Sequence, residues 1–173
     1  GGVVNIITKK IPDEWTGSAT INYKLPSDSN AGDTIQTSAT VAGPILENLG
    51  TRITVSQTQR DADTGLSGDD FADSTTGIKN QNIDGKLAWE VVYGHVLELF
   101  GTYGKQTNTN PSFKQGETGS ELWLGGDGEK DTTVTQRYGL AWDGEYDWGS
   151  SKFSVYRNEF EKQDEMTEVN GVL

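Results

Sequence analysis

Asn82-Ile83-Asp84-Gly85-Lys86-Leu87-Ala88-Trp89-Glu90-Val91, then Val92-Tyr93-Gly94-His95, then Val96-Leu97-Glu98-Leu99-Phe100-Gly101-Thr102-Tyr103-Gly104-Lys105 is the stretch that decides the fold. Ile83, Gly85, Leu87, Trp89 and Val91 occupy every second position, with Asp84, Lys86, Ala88 and Glu90 between them. A period of two belongs to a strand with one apolar and one polar face. The second run repeats it: Leu97, Leu99, Gly101 and Tyr103 share a face, and Glu98 and Thr102 lie opposite. Val96 and Phe100 break the pattern. The four residues between the runs, with a glycine among them, are a tight turn, so the two strands pair antiparallel.

The same signal extends in both directions. Residues 17–25 set Ala19, Ile21, Tyr23 and Leu25 against Ser18, Thr20, Asn22 and Lys24. Residues 33–43 set Ile35, Thr37, Ala39 and Val41 against Gln36, Ser38 and Thr40. Residues 51–60 set Ile53 and Val55 against Arg52, Thr54 and Ser56. Residues 132–145 set Val134, Tyr138, Leu140 and Trp142 against Thr135, Arg137, Gly139, Ala141 and Asp143. Residues 150–162 carry Phe153 and Val155 on one face, Tyr156 and Phe160 on the other. The expected fold is all-β, an antiparallel up-and-down meander of about seven strands. Its connections alternate in length. Compact turns are expected at 43–50, 92–95 and 147–150, and long polar loops near 61–81 and 106–131. That asymmetry belongs to transmembrane barrels, with short periplasmic turns and long outer loops.

Apolar residues other than glycine make up 32% of the chain, below the about 45–50% of ordinary globular proteins even after allowing for the glycines that figure counts. Mean hydropathy is -0.62 and the formal charge is -12. Five Trp, six Tyr and five Phe argue against disorder, because disordered chains are poor in aromatics. A membrane barrel reconciles these facts, since only alternate residues of each strand need to be apolar. The acidic balance excludes a nucleic-acid partner, which needs clustered Lys and Arg. There is no cysteine, so thiol chemistry and disulfides are excluded, and the one histidine, His95, lies at a tight turn, which argues against a Ser-His-Asp triad. Trp89, Tyr93, Trp142, Tyr146 and Trp148 flank the short turns, and Tyr23 and Tyr103 lie toward the long-loop ends. Aromatics at both ends of the strands are expected of two membrane-interface girdles.

The opening decapeptide, Gly1-Gly2-Val3-Val4-Asn5-Ile6-Ile7-Thr8-Lys9-Lys10, resembles the end of the plug domain of TonB-dependent outer-membrane receptors. Thr40-Val41-Ala42-Gly43-Pro44-Ile45 resembles that family's second barrel strand. Asn82–Trp89 and Gly104–Asn110 resemble parts of its catecholate, ferric-enterobactin-like siderophore branch. The resemblance implies that residues 1–12 are the last strand of the plug and that residues 13–173 begin a barrel of about 22 strands. It implies an internal piece of a Gram-negative receptor that binds a ferric siderophore, or another metal chelate, at the cell surface. Import would use energy from the TonB complex, met through a region absent from this sequence. Outer-membrane lipid and lipopolysaccharide are the remaining implied partners. The chelate is cargo, no resident cofactor or metal is expected, and no enzyme activity is implied.

Cations and rings in the long loops suit an anionic aromatic chelate. The candidates are Arg60, Phe71, Lys79, Lys105, Phe113, Lys114, Trp123 and Lys130. The loops are net acidic, however, so either other parts of the receptor supply a positive field or the ligand is neutral or cationic. Lys86, Glu90, Glu98, Arg137 and Asp143 face the lumen if the apolar faces meet lipid, and are candidates for plug contacts. Asp61, Asp63, Asp69, Asp70 and Asp73 lack the register of a calcium loop. Gly125–Asp131 lacks the context of a phosphate loop. The competing reading is a soluble or surface-displayed acidic β-domain, such as a carbohydrate-binding or adhesin module. Two packed sheets burying Leu97, Leu99, Leu140 and Trp142 would mark it. One curved sheet exposing them would mark the barrel.

Overall fold

The computed structural model describes residues 11–27, 31–63, 76–109 and 130–165. The decapeptide, the acidic residues Asp69, Asp70 and Asp73, the candidates Phe71, Phe113, Lys114 and Trp123, and residues 125–129 lie outside the described residues. Seven strands form one sheet: β1 (Thr16–Lys24), β2 (Thr34–Leu46), β3 (Leu49–Arg60), β4 (Gly77–Val92), β5 (His95–Thr109), β6 (Lys130–Tyr146) and β7 (Gly149–Glu165). Each pairs antiparallel with its neighbours in sequence, so the sheet is a pure meander.

The strands are longer than apolar alternation shows. β4 starts at Gly77 and β5 runs to Thr109, because the hydrogen-bond ladder continues where the apolar alternation has stopped. The compact connection at 43–50 shrinks to Glu47-Asn48. Pro44 is carried inside β2 at its irregular end, where the register shifts between Pro44 and Leu46, a place that tolerates a missing donor. At the β4–β5 turn Gly94 has φ of 78°, a conformation open to glycine and strained for other residues.

Register places the apolar residues on one face. Ala19, Ala39, Val55, Ile83 and Tyr103 form one cross-strand row; Leu87, Leu99, Leu140 and Val155 lie along another. No second sheet covers them among the described residues. Leu99 is 50% and Leu140 45% exposed, and Ala42 is the only buried apolar residue described. Leu97 and Trp142 are half-covered because they face each other in register, with Phe153 next to Trp142. The described residues thus form one exposed sheet, not two packed ones. This band is too large to leave in water, and it needs lipid against it.

The polar boundary of the band runs obliquely to the register. On β1 and β2 the outermost apolar residues are Tyr23 and Ile35, which are partners. On β3, β4 and β5 they are Val55, Ile83 and Tyr103, a lower row. That row continues into Gln136 and Glu159, so the continuous band reaches Tyr138 on β6, with Val134 standing apart beyond Gln136, and Val155 on β7. Strands tilted against the membrane plane produce this slant. The strands nevertheless end at nearly the same register, Lys24 with Thr34 and Thr109 with Lys130. β5, β6 and β7 consequently carry long polar extensions beyond the band.

The chain reaches β1 through two close approaches. A Cβ on Gly50 would stand 2.6 Å from Ile11 Cγ2, and one on Gly43 would stand 2.5 Å from Trp15 Cδ2. Alternation puts Gly50 on the polar face with Arg52 and Gly43 on the apolar face with Val41. Residues 11–15 thus pass from the polar side of the sheet to its apolar side at the short-turn end.

Candidate functional site: the polar face and the long-loop rim

All five lumen candidates, Lys86, Glu90, Glu98, Arg137 and Asp143, share the polar face. They do not stand free. Lys86 is paired with Glu98, and Asp143 accepts from Lys152 Nζ at 2.7 Å. Glu90 Oε1 accepts from the Gly94 amide at 3.1 Å and braces the turn. Arg137 lies over two rings, 5.6 Å from the Phe100 centroid and 4.4 Å from that of Tyr156, in cation–π contact.

Phe100, an exception to the alternation, has a structural partner. Its ring reaches over Gly139, directly across the β5–β6 ladder. A Cβ there would meet Phe100 Cζ at 2.8 Å and the Val155 carbonyl oxygen at 2.4 Å. Arg52, Lys152 and Tyr156 complete this face and were not singled out from sequence. Their signal was available, since register with Lys86, Asp143 and Gly139 assigns their side. A hollow of about 490 Å³ lies here, between Arg52, Asp84, Lys86, Glu98, Phe100 and Arg137. Thr102 Oγ1 donates to Asp84 Oδ1 at 2.9 Å on its wall. The surface is a mosaic of fixed donors, acceptors and ring faces, suited to docking a polar protein surface.

At the long-loop rim, the described ligand candidates occupy strands rather than loops. Arg60 ends β3 on the polar face and pairs with Asp63, which is only 8% exposed. Arg60 Nη1 also donates to the Thr76 carbonyl at 3.1 Å. Asp63 Oδ1 in turn accepts from the Gly32 amide at 3.0 Å. The first two acids of the Asp-rich loop are engaged too: Asp61 accepts from Gln59 Nε2 at 3.3 Å, and its amide donates to the Asp33 carbonyl. Arg60 therefore clips the base of the β3–β4 connection to the β1–β2 connection. Lys79, Lys105 and Lys130 fall on the other face, the one that carries the apolar band. The structure does not bring them together with Arg60.

The girdle aromatics sort cleanly. Tyr23, Trp89, Tyr103, Trp142 and Tyr146 are on the apolar face, and Tyr93 and Trp148 project from the short turns at 95% and 82% exposure. His95 packs at 4.8 Å on Tyr146, and Tyr146 stacks on Trp148 at 5.0 Å. Trp15 joins this girdle and was missed, because it precedes the first alternating run. Among the described residues no group of three or more His, Asp or Glu could hold a metal ion, and no helix is long and apolar enough to cross a membrane.

A meander with a lipid-facing band, aromatic girdles and a polar inner face is a wall segment of an outer-membrane β-barrel. No family model matches the chain. It is similar to the ferric enterobactin receptor PirA of Pseudomonas aeruginosa, 30% identical over 163 residues, which covers 88% of this chain and 22% of that protein. It is also similar to the ferrienterobactin receptor of Escherichia coli, 32% identical over 164 residues, covering 86% of this chain and 22% of that one. The crystal structure of the siderophore receptor PirA from Pseudomonas aeruginosa superposes with a TM-score of 0.73 at 25% identity, over 95% of this chain and 25% of that one. Over most of its length the chain is similar to a segment of TonB-dependent siderophore receptors of the Gram-negative outer membrane. It spans about a fifth of the length of the curated relatives it matches.

Proposed function

We propose that this chain forms part of the wall of a receptor that binds a ferric siderophore at the cell surface and imports it with energy delivered by TonB. The observation that carries this reading is the match across most of the chain to receptors named for ferric enterobactin. The two-faced sheet supports it, with lipid on one side and a pre-paired polar mosaic on the other. In this reading residues 1–12 close a plug, Lys86, Glu90, Glu98, Arg137 and Asp143 face it, and contact with TonB is made by a part of the receptor outside this chain. The protein works by binding and transport, with no catalytic step and with iron as cargo. Near the mouth, Arg60 orders the loop bases rather than offering a free cation to an anionic chelate.

Deleting the gene and supplying ferric enterobactin as sole iron source tests the reading. Growth and radioiron uptake should be lost and should return with the intact gene. Unchanged uptake of ferric catecholates in the deletion strain would overturn it.

A further inference from the structure

On the polar face, two adjacent cross-strand rows carry no charge from β1 to β6. The upper row runs from Asn22 through Asn80 and Gln106 to Thr133, the lower from Thr20 through Asn82 and Gly104 to Thr135. Apart from the bare Gly104, every side chain in them is that of Asn, Gln, Ser or Thr. Charge returns on either side: Arg60 and Asp131 lie in the row above, Asp84 and Arg137 in the row below. Asp, Glu, Lys and Arg make up 23% of the chain, so a neutral field this broad marks a change of chemistry at one height of the wall.

The neutral groups are also open. The charged residues lower down are engaged with one another, Lys86 with Glu98 and Asp143 with Lys152. By contrast, the side chains of Asn80, Asn82 and Thr135 have no partner among the described residues. Asn80 Oδ1 is buried without a hydrogen bond, a condition that costs about 1–3 kcal/mol and is relieved by a donor. Gly104 leaves a notch beside them. Asn82 Oδ1 lies 2.9 Å from where a Cβ on Gly104 would stand, so this amide leans over bare backbone. On the far side of Thr135, Phe160 presents its ring on the same face, 71% exposed. Lipid accounts for exposed rings on the outer face, such as Phe153, but not for this one.

Amides and hydroxyls that both donate and accept, beside a ring face and apart from charge, are the complement of a neutral polyol. A charged group stripped of water here meets no counter-charge. We infer that this field binds a neutral saccharide carried by the imported chelate. Sugar hydroxyls bond the amides of Asn80 and Asn82 over the Gly104 notch, and a C–H face of the sugar lies on Phe160. About 14 Å separates β4 from β7, a span that one or two sugar rings fill once the side chains reach inward. The site rests on the proposed import of a ferric chelate, and the test separates the two.

That test uses the full-length receptor purified in detergent. Binding of ferric enterobactin, and of the same chelate carrying a C-linked glucose, is followed by quenching of tryptophan fluorescence. The wild-type receptor should hold the glucosylated complex about tenfold tighter. Asn80→Leu/Asn82→Leu should weaken that complex about fivefold for each amide removed and leave ferric enterobactin unchanged. Phe160→Ala should act in the same direction, while Phe160→Tyr should keep wild-type affinity. Folding of each variant is checked by heat-modifiable electrophoretic mobility. Equal affinity of the wild-type receptor for the two complexes would overturn the site and leave import of the bare chelate standing. So would undiminished binding by the folded double-Leu variant, or equal losses for both complexes, the mark of side chains that hold the plug instead. Binding of neither complex would end both readings.

Discussion

Gly139 shows how much one missing methyl group can hold. Its bare Cα lets the Phe100 ring cross the β5–β6 ladder and lets Tyr156 approach from β7. The two rings then hold Arg137 between them on the inner face. Valine at 139 would drive a branched side chain into the Val155 carbonyl oxygen and the Phe100 ring. Overpacking of this kind costs about 1–3 kcal/mol. Gly139→Val should lower the urea midpoint of the intact barrel refolded into lipid vesicles, while Gly139→Ser should lower it less. The glycine's role was not legible from sequence. Alternation marks Phe100 as an exception, and only the register shows that the exception has a partner.

At the scale of the strand, the same logic reads out as two faces with different tolerances. Leu99 stands in the lipid band, and Thr102 stands on the inner face, hydrogen-bonded to Asp84. Leu99→Arg should cost about 2–4 kcal/mol, measured as the shift in unfolding free energy in vesicles. Thr102→Arg should cost less, because its charge meets wet polar surface. Equal costs would contradict the assignment of faces. Strand existence and sidedness were legible because burial in lipid imposes a strict period of two on Leu97, Leu99, Leu140 and their partners. Strand ends were not, because Lys79, Gln81, Gln106 and Thr107 extend the ladder above the lipid where no apolar face is needed. The rim candidates were misplaced for that reason. Lys79 and Lys105 read as loop residues when alternation stops, yet they remain in register on the outer face.

For the whole wall, the prediction concerns sides of a membrane. The chain has no cysteine, so single cysteines report cleanly. Lys79→Cys should react with an impermeant maleimide on intact cells. Asp147→Cys, in the turn before Gly149, should react only after the outer membrane is opened. Labelling in the reverse order would invert the topology. The family was legible from residues 1–10 and the loose strand matches, and relatives named for ferric enterobactin agree with it. The lumen residues were legible as a face but not as a network, since pairing of Lys86 with Glu98 and of Asp143 with Lys152 depends on which strand lies beside which.

The slanted edge of the lipid band has a consequence for what meets the cell's surroundings. Strands that stop level with one another, above a boundary that descends from β1 to β7, make a parapet of uneven height. The β1–β2 end, tipped by Tyr23 and Ile35, barely clears the lipid. On β6 the strand from Gln136 to Lys130, polar on its outer side apart from Val134, rises beyond the continuous band, about 20 Å of strand. A bulky solute drifting along the membrane surface meets a low sill on one flank and a palisade on the other. Among the described strands it is the palisade, with Glu159 and Glu161 on its outer side, that such a solute meets edge-on.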